Sequence, residues 1–144
     1  MTNQDKLISK TCLTIVQHYK NLIDADCGGF HTRLFSHILH PEKKFICIGE
    51  SVLINSETKV HLEHVVPCAV LISETKRLIK ENKLSDDEIA GLLKKHWKVA
   101  IITNDEAKKL DFTLKLKSVM PKDWCFEHGK TNARLNLAKI ELRS

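Results

Sequence analysis

No stretch of this 144-residue chain approaches the roughly 18 consecutive apolar residues that a membrane-spanning helix needs. Neither G-x-x-x-x-G-K nor G-x-G-x-x-G occurs, which argues against phosphate-loop nucleotide chemistry. Low-complexity tracts, internal repeats and Pro/Gly/Ser-rich linkers are also missing. Glycine (5), proline (3) and aromatic residues (6%) are scarce, so nothing suggests collagen-like or linker sequence. A disordered chain is excluded as well, since apolar residues make up 42% and the net charge is only +5. What remains is an ordinary globular composition, 28% charged, of a size for one domain spanning 1–144.

The five cysteines (Cys12, Cys27, Cys47, Cys68, Cys125) are odd in number and none forms C-x-x-C. The opening MTNQDKLISK has no apolar run before a small-residue cleavage site. The expectation is reduced thiols in a cytoplasmic protein, most of them small core residues. A set Cys27, His31, His37 and His40 contains zinc-ligand types, but its spacing matches no closed zinc module. No local signature supports a Cys–His nucleophile pair. The positive charge gathers late: residues 98–144 carry ten Lys/Arg against six Asp/Glu, whereas residues 45–97 carry seven against eight. A polyanion is therefore expected to meet the C-terminal third.

Apolar spacing predicts an amphipathic helix over 4–24, with Ile8, Cys12, Ile15, Tyr19 and Leu22 on one face. Residues 26–41 read as loop. Lys44–Ile54 reads as a strand bent at Gly49, and Val60–Val66 as a second strand ending before Pro67. Helices are expected over 69–81 and from Ser85 to about His96, the latter opened by the capping box S-D-D-E. KVAIIT, 98–103, is a short strand, after which Asn104 can cap a helix with acids in its first turn. Residues 117–131 look irregular, and 132–142 suit a last helix or strand. The class is α+β.

The densest chemistry lies in His61-Leu62-Glu63-His64-Val65-Val66-Pro67. Two imidazoles and a carboxylate at a strand end are costly to bury without partners. A solvated strand edge is one reading. The other is a resemblance: Glu63-His64-Val65-Val66-Pro67 resembles the first strand of HNH, or ββα-metal, nucleases. In that family the pattern is a metal ligand, then a His general base, then a Pro three residues on. KVAIIT and NDEAKKLDFTLKL fit the family's second strand and helix, with about thirty helical residues inserted between.

The resemblance implies a ββα-metal-like core over 60–115, interrupted by a helical insertion at 69–96 and preceded by an N-terminal helix. It implies a metal-dependent endonuclease acting on nucleic acid, DNA before RNA, with no membrane partner. His64 takes the place of the general base and Glu63 that of the first metal ligand. Asn104 is the nearest match to the family's base-orienting Asn, although it sits late and also suits a helix cap. The helix positions that carry imidazoles in the family fall at Ala107, which binds nothing, and Asp111. Glu106 lies beside the empty position. Oxygen donors of this kind suit Mg²⁺ or Mn²⁺ over Zn²⁺.

Each of these residues has a plainer reading too. Asp111 can pair with Lys108 or Lys115, and Glu106 can be a first-turn acid favoured by the helix dipole. His61 shares a strand face with Glu63 and either touches phosphate or faces water. Lys117, Lys122, Lys130 and Arg134 can meet phosphates with Trp124 stacked on a base, or Trp124 can anchor the irregular segment. The lost imidazole at Ala107 leaves open a catalytically inactive nucleic-acid- or protein-binding module that keeps the fold. A small interaction protein unrelated to nucleases is the third reading.

Overall fold

Helix α1 spans Asn3–Asp24 in a computed structural model that describes residues 2–143. It opens with a capping box in which the Thr2 side chain accepts from the Asp5 N–H. Ile8, Cys12, Ile15, Val16 and Tyr19 line its buried face, as the three-and-four spacing requires. That face packs on α4 (Cys68–Glu81) and α5 (Asp86–His96). Ser85 and Glu88 close the expected capping box at the start of α5.

Four strands form one sheet in the order β2-β3-β1-β4: β1 (Cys47–Ser51), β2 (Val60–His64), β3 (Val99–Thr103) and β4 (Leu142–Arg143). Strand β2 runs antiparallel to β3 and sets Glu63 opposite Ala100 and His64 opposite Val99. Strand β1 lies parallel to β3 and antiparallel to β4. Both faces of β3 are covered. Val99 joins the cluster built from α1, α4 and α5, while Ala100 and Ile102 join a second cluster with Ala107, Leu110 and Leu135. The chain is thus mixed α+β, as its element order predicts.

Several boundaries differ from those expected, each for a local reason. Residues 26–41 are not all loop, since α2 takes Arg33–Ile38. Helix α3 (Glu42–Ile46) occupies the front of the strand expected from Lys44, and a five-residue helix is too short to show a period. Strand β2 ends at His64, two residues before the expected Val66. Thr103, rather than Asn104, caps α6 (Asn104–Lys108): its hydroxyl accepts from the Glu106 N–H while the Glu106 carboxylate accepts from the Thr103 N–H, both at 3.0 Å. The helix then widens into a π turn, Lys109–Thr113. Its wider spacing removes the strict i,i+4 alignment assumed for Ala107 and Asp111. Helix α7 (Ala133–Leu137) follows the irregular segment. Trp124 anchors that segment, its indole N–H donating to the Lys130 carbonyl at 2.9 Å and its ring lying against His96 and Phe126.

At Gly49 only glycine fits. Its φ is +145°, and a Cβ there would stand 2.5 Å from the Arg143 carbonyl oxygen on β4. Gly49→Ala is expected to destabilise the fold by about 1–3 kcal/mol through backbone strain and loss of the β1–β4 pairing. Urea unfolding of the variant checks this, and an unchanged midpoint would show that β4 is not held there.

Candidate active site

The end of β2, the start of α4 and the short α2 meet at one cleft of about 300 Å³. Glu63, His64, Cys68 and Ala69 line it, with Arg33 and Lys117 at its rim. Consecutive residues of a regular strand face opposite ways. Glu63 and His64 share the cleft because β2 stops at His64, where the chain bends toward Pro67 and α4.

The His64 imidazole is fixed from behind by a residue that the sequence did not point to. Glu42, the first residue of α3, is 5% exposed. His64 Nε2 donates to its Oε2 at 2.7 Å, and the Trp97 indole N–H donates to the same oxygen at 3.1 Å. Trp97 is itself fully buried and edge-packed on Phe35, so the carboxylate sits on a rigid wall. Cys68 lines the same cleft as the ring. Burial of the imidazole disfavours its charge, but hydrogen bonding with Cys68 and donation to Glu42 outweigh that and push the pKa up to about 10.

Glu63 is held differently. Its Oε1 lies 3.3 Å from His61 Nε2 and its Oε2 lies 3.5 Å from Arg134 Nη2. Arg134 is completely buried. Its Nε donates to the Leu116 carbonyl at 2.9 Å, and its Nη1 donates to the carbonyls of His64 and Val65 at 2.9 and 3.2 Å. Burial lowers its pKa, opposed by the negative charges of Glu63 and Asp111. Arg134 therefore serves the strand end from inside the fold, and the expected phosphate contact at this residue is corrected: no part of its side chain reaches solvent.

The other expected site residues separate into two groups. His61 is exposed beside Glu63, Lys117 stands on the cleft rim, and Asp111 lies within electrostatic reach of Arg134. Asn104 and Glu106 are not brought to His64. Thr103, next to Asn104, stands four positions along β3 from the residue opposite His64, about 13 Å away at strand rise. Glu106 is committed to the cap of α6. Cys27, His31, His37 and His40 do not converge either, since no three metal-capable side chains gather among the described residues.

Glu42 was missed because its partners are distant in sequence. Glu42 reaches His64 across 22 positions and Trp97 across 55.

The raised His64 pKa makes stability depend on pH with a definite sign. A group whose folded value lies above its unfolded value of 6.5 stabilises fully below 6.5 and loses that contribution as pH rises through about 10. Glu42→Gln is expected to lower the melting temperature clearly at pH 6.5 and much less at pH 10.5. Thermal melts of both proteins at the two pH values check this; an equal penalty at both would assign Glu42 to packing alone. Comparison with protein-family models, with curated proteins and with solved structures returns no match.

Proposed function

We propose that the chain hydrolyses phosphodiester bonds of nucleic acid, DNA before RNA, with His64 handling the proton of the attacking water. The observation that carries this reading is that Glu63 and His64 open into one cleft whose rim holds the cations Arg33 and Lys117. An anionic backbone is drawn to such a rim, and an imidazole fixed by a buried carboxylate is a suitable proton-transfer group. The order β2, β3 antiparallel and then α6 agrees with the HNH resemblance, with α4 and α5 as the insertion. The ββα-metal core belongs to this proposal.

The divalent cation of that reading, Mg²⁺ or Mn²⁺ before Zn²⁺, has Glu63 as its first carboxylate. As placed, the residues do not form a cage for it. Glu63 is engaged by Arg134, and no three ligands converge among the described residues. This feature favours a second reading, a nucleic-acid- or protein-binding module that keeps the cleft without the chemistry.

Cleavage of single- and double-stranded DNA and RNA, assayed with each divalent metal, separates the two. Wild type is expected to cut, and His64→Ala to lose about 10²–10⁴-fold. Glu63→Ala is expected to lose the metal dependence. An inert wild type on every substrate and metal overturns the hydrolytic reading. If His64 is the base, the rate must also rise with pH toward about 10, because the ring has to shed its proton. Glu42→Gln, which removes one cause of the raised pKa, should move that rising limb to lower pH.

Electrostatic binding has its own measure. Lys117→Ala is expected to flatten the slope of log K against log salt by about 0.9 on duplex DNA if Lys117 meets a phosphate. Arg134 is unsuitable for this test because it is internal. An unchanged slope would move the contact off this rim.

A further inference from the structure

We propose that the hollow between the last turn of α5 and the segment leading into α7 is a phosphate-binding site. Its ligand is a phosphoryl oxyanion, carried by a nucleic-acid strand or by a small phosphorylated molecule. The hollow shares no lining residue with the His64 cleft. It stands apart from the phosphodiester reading and uses neither His64 nor Glu63.

Lys95, His128, Lys130, Asn132 and Asn136 converge on this hollow of about 400 Å³, and no Asp or Glu lines it. The nearest acid along the chain, Glu127, is taken by Arg77 on α4. Other lysines of the fold are committed: Lys20 to Asp86, Lys94 to the Ser9 hydroxyl and Lys109 to the Ala138 carbonyl. Lys95 and Lys130 are not. Among the described residues, none of the five side chains makes a hydrogen bond or an ion pair; Lys95 and Lys130 accept only through their main-chain carbonyls. Asn132 is the clearest case. It stands at the N-cap of α7, where an Asn side chain ordinarily accepts from the helix N–H groups, yet it makes no such bond. Its φ of −84° and ψ of 11° differ from the extended backbone of a capping residue, and its carboxamide is left over.

The frame behind these side chains is fixed. The Thr131 hydroxyl donates to the Lys95 carbonyl at 3.1 Å and stands 2.9 Å from His96 Nδ1. His96 is fully buried, and its Nε2 donates to the Phe126 carbonyl at 2.8 Å. The Trp124 indole holds the Lys130 carbonyl, and a Cβ at Gly129 would collide with that indole. These contacts tie the segment to the core through its main chain, Thr131 and Trp124, while His128 and Lys130 remain exposed. Two ammonium groups then supply charge, and two carboxamides and an imidazole supply further donors. A phosphate, all acceptor oxygens and negative charge, matches that set, whereas a cation finds no carboxylate.

The test titrates the full, isotope-labelled chain with inorganic phosphate at constant ionic strength, in a metal chelator, and reads amide shifts by NMR. The expected result is a saturable shift confined to residues 128–136 and the end of α5, with the side-chain amide signals of Asn132 and Asn136 among those that move. Lys95→Ala and Lys130→Ala should each weaken binding by about fivefold. Asn136→Ala should weaken it by about threefold, which charge attraction alone does not explain. Lys122→Ala, at an exposed lysine outside the hollow, should change nothing. A second arm uses a short single-stranded DNA in the same chelator. If Lys130→Ala flattens the slope of log K against log salt by about 0.7, the phosphate belongs to a strand. An unchanged slope, with phosphate binding weakened, assigns the hollow to a small phosphorylated molecule. Shifts that fail to saturate or that spread over every lysine-rich surface would overturn the proposal. So would equal weakening by Lys122→Ala, or an affinity indifferent to Lys130→Ala and Asn136→Ala in variants shown to be folded by circular dichroism. With cations chelated and His64 untouched, the outcome is independent of the cleavage assays.

Discussion

A carboxylate buried to 5% exposure needs partners, and Glu42 has two on one oxygen. Removing such a group from water costs several kcal/mol unless hydrogen bonds replace the lost hydration. The indole of Trp97 and the imidazole of His64 supply them, and in doing so they tie three separate parts of the chain together. Helix α3 brings the carboxylate, the end of α5 brings the indole and the end of β2 brings the imidazole. Because Trp97 is locked in the core, Glu42 cannot follow a moving histidine. His64 is therefore held in one orientation, with its free edge to the cleft.

Arg134 imposes the matching constraint on the backbone. Its guanidinium binds the carbonyls of His64 and Val65, where β2 gives way to the bend before Pro67, and stands beside the Glu63 carboxylate. The strand end is gripped through its side chains by Glu42 and Arg134 and through its main chain by Arg134. The turn that follows places Cys68 at the first position of α4, where it lines the same cleft.

Much of the scaffold was legible where a pattern repeats within a few residues. The Ile8–Cys12–Ile15–Tyr19 face, the Ser85–Glu88 box and the KVAIIT strand are local signals, and they fall where expected. His64 and Glu63 also stood out as a dense polar cluster beside Pro67. What the sequence concealed is long-range. Glu42 reads as an ordinary surface acid until Trp97 is seen against it. Arg134 reads as a phosphate contact because charge in a sequence does not disclose burial. Asn104 and Thr103 are adjacent and both competent caps, and the contest is settled by the Thr103–Glu106 box, which also withdraws Glu106 from any site. Asp111 was placed on a regular helix, and the π turn at Lys109–Thr113 breaks that regularity.

The central claim is that Glu42 fixes the His64 imidazole at the cleft and raises its pKa. Its most direct test is a titration of the His64 ring by heteronuclear NMR, assigned with His64→Ala. The account predicts a midpoint near 10 in the wild type and a fall toward 6.5 in Glu42→Gln. A wild-type midpoint at or below 6.5, unchanged by Glu42→Gln, would contradict it.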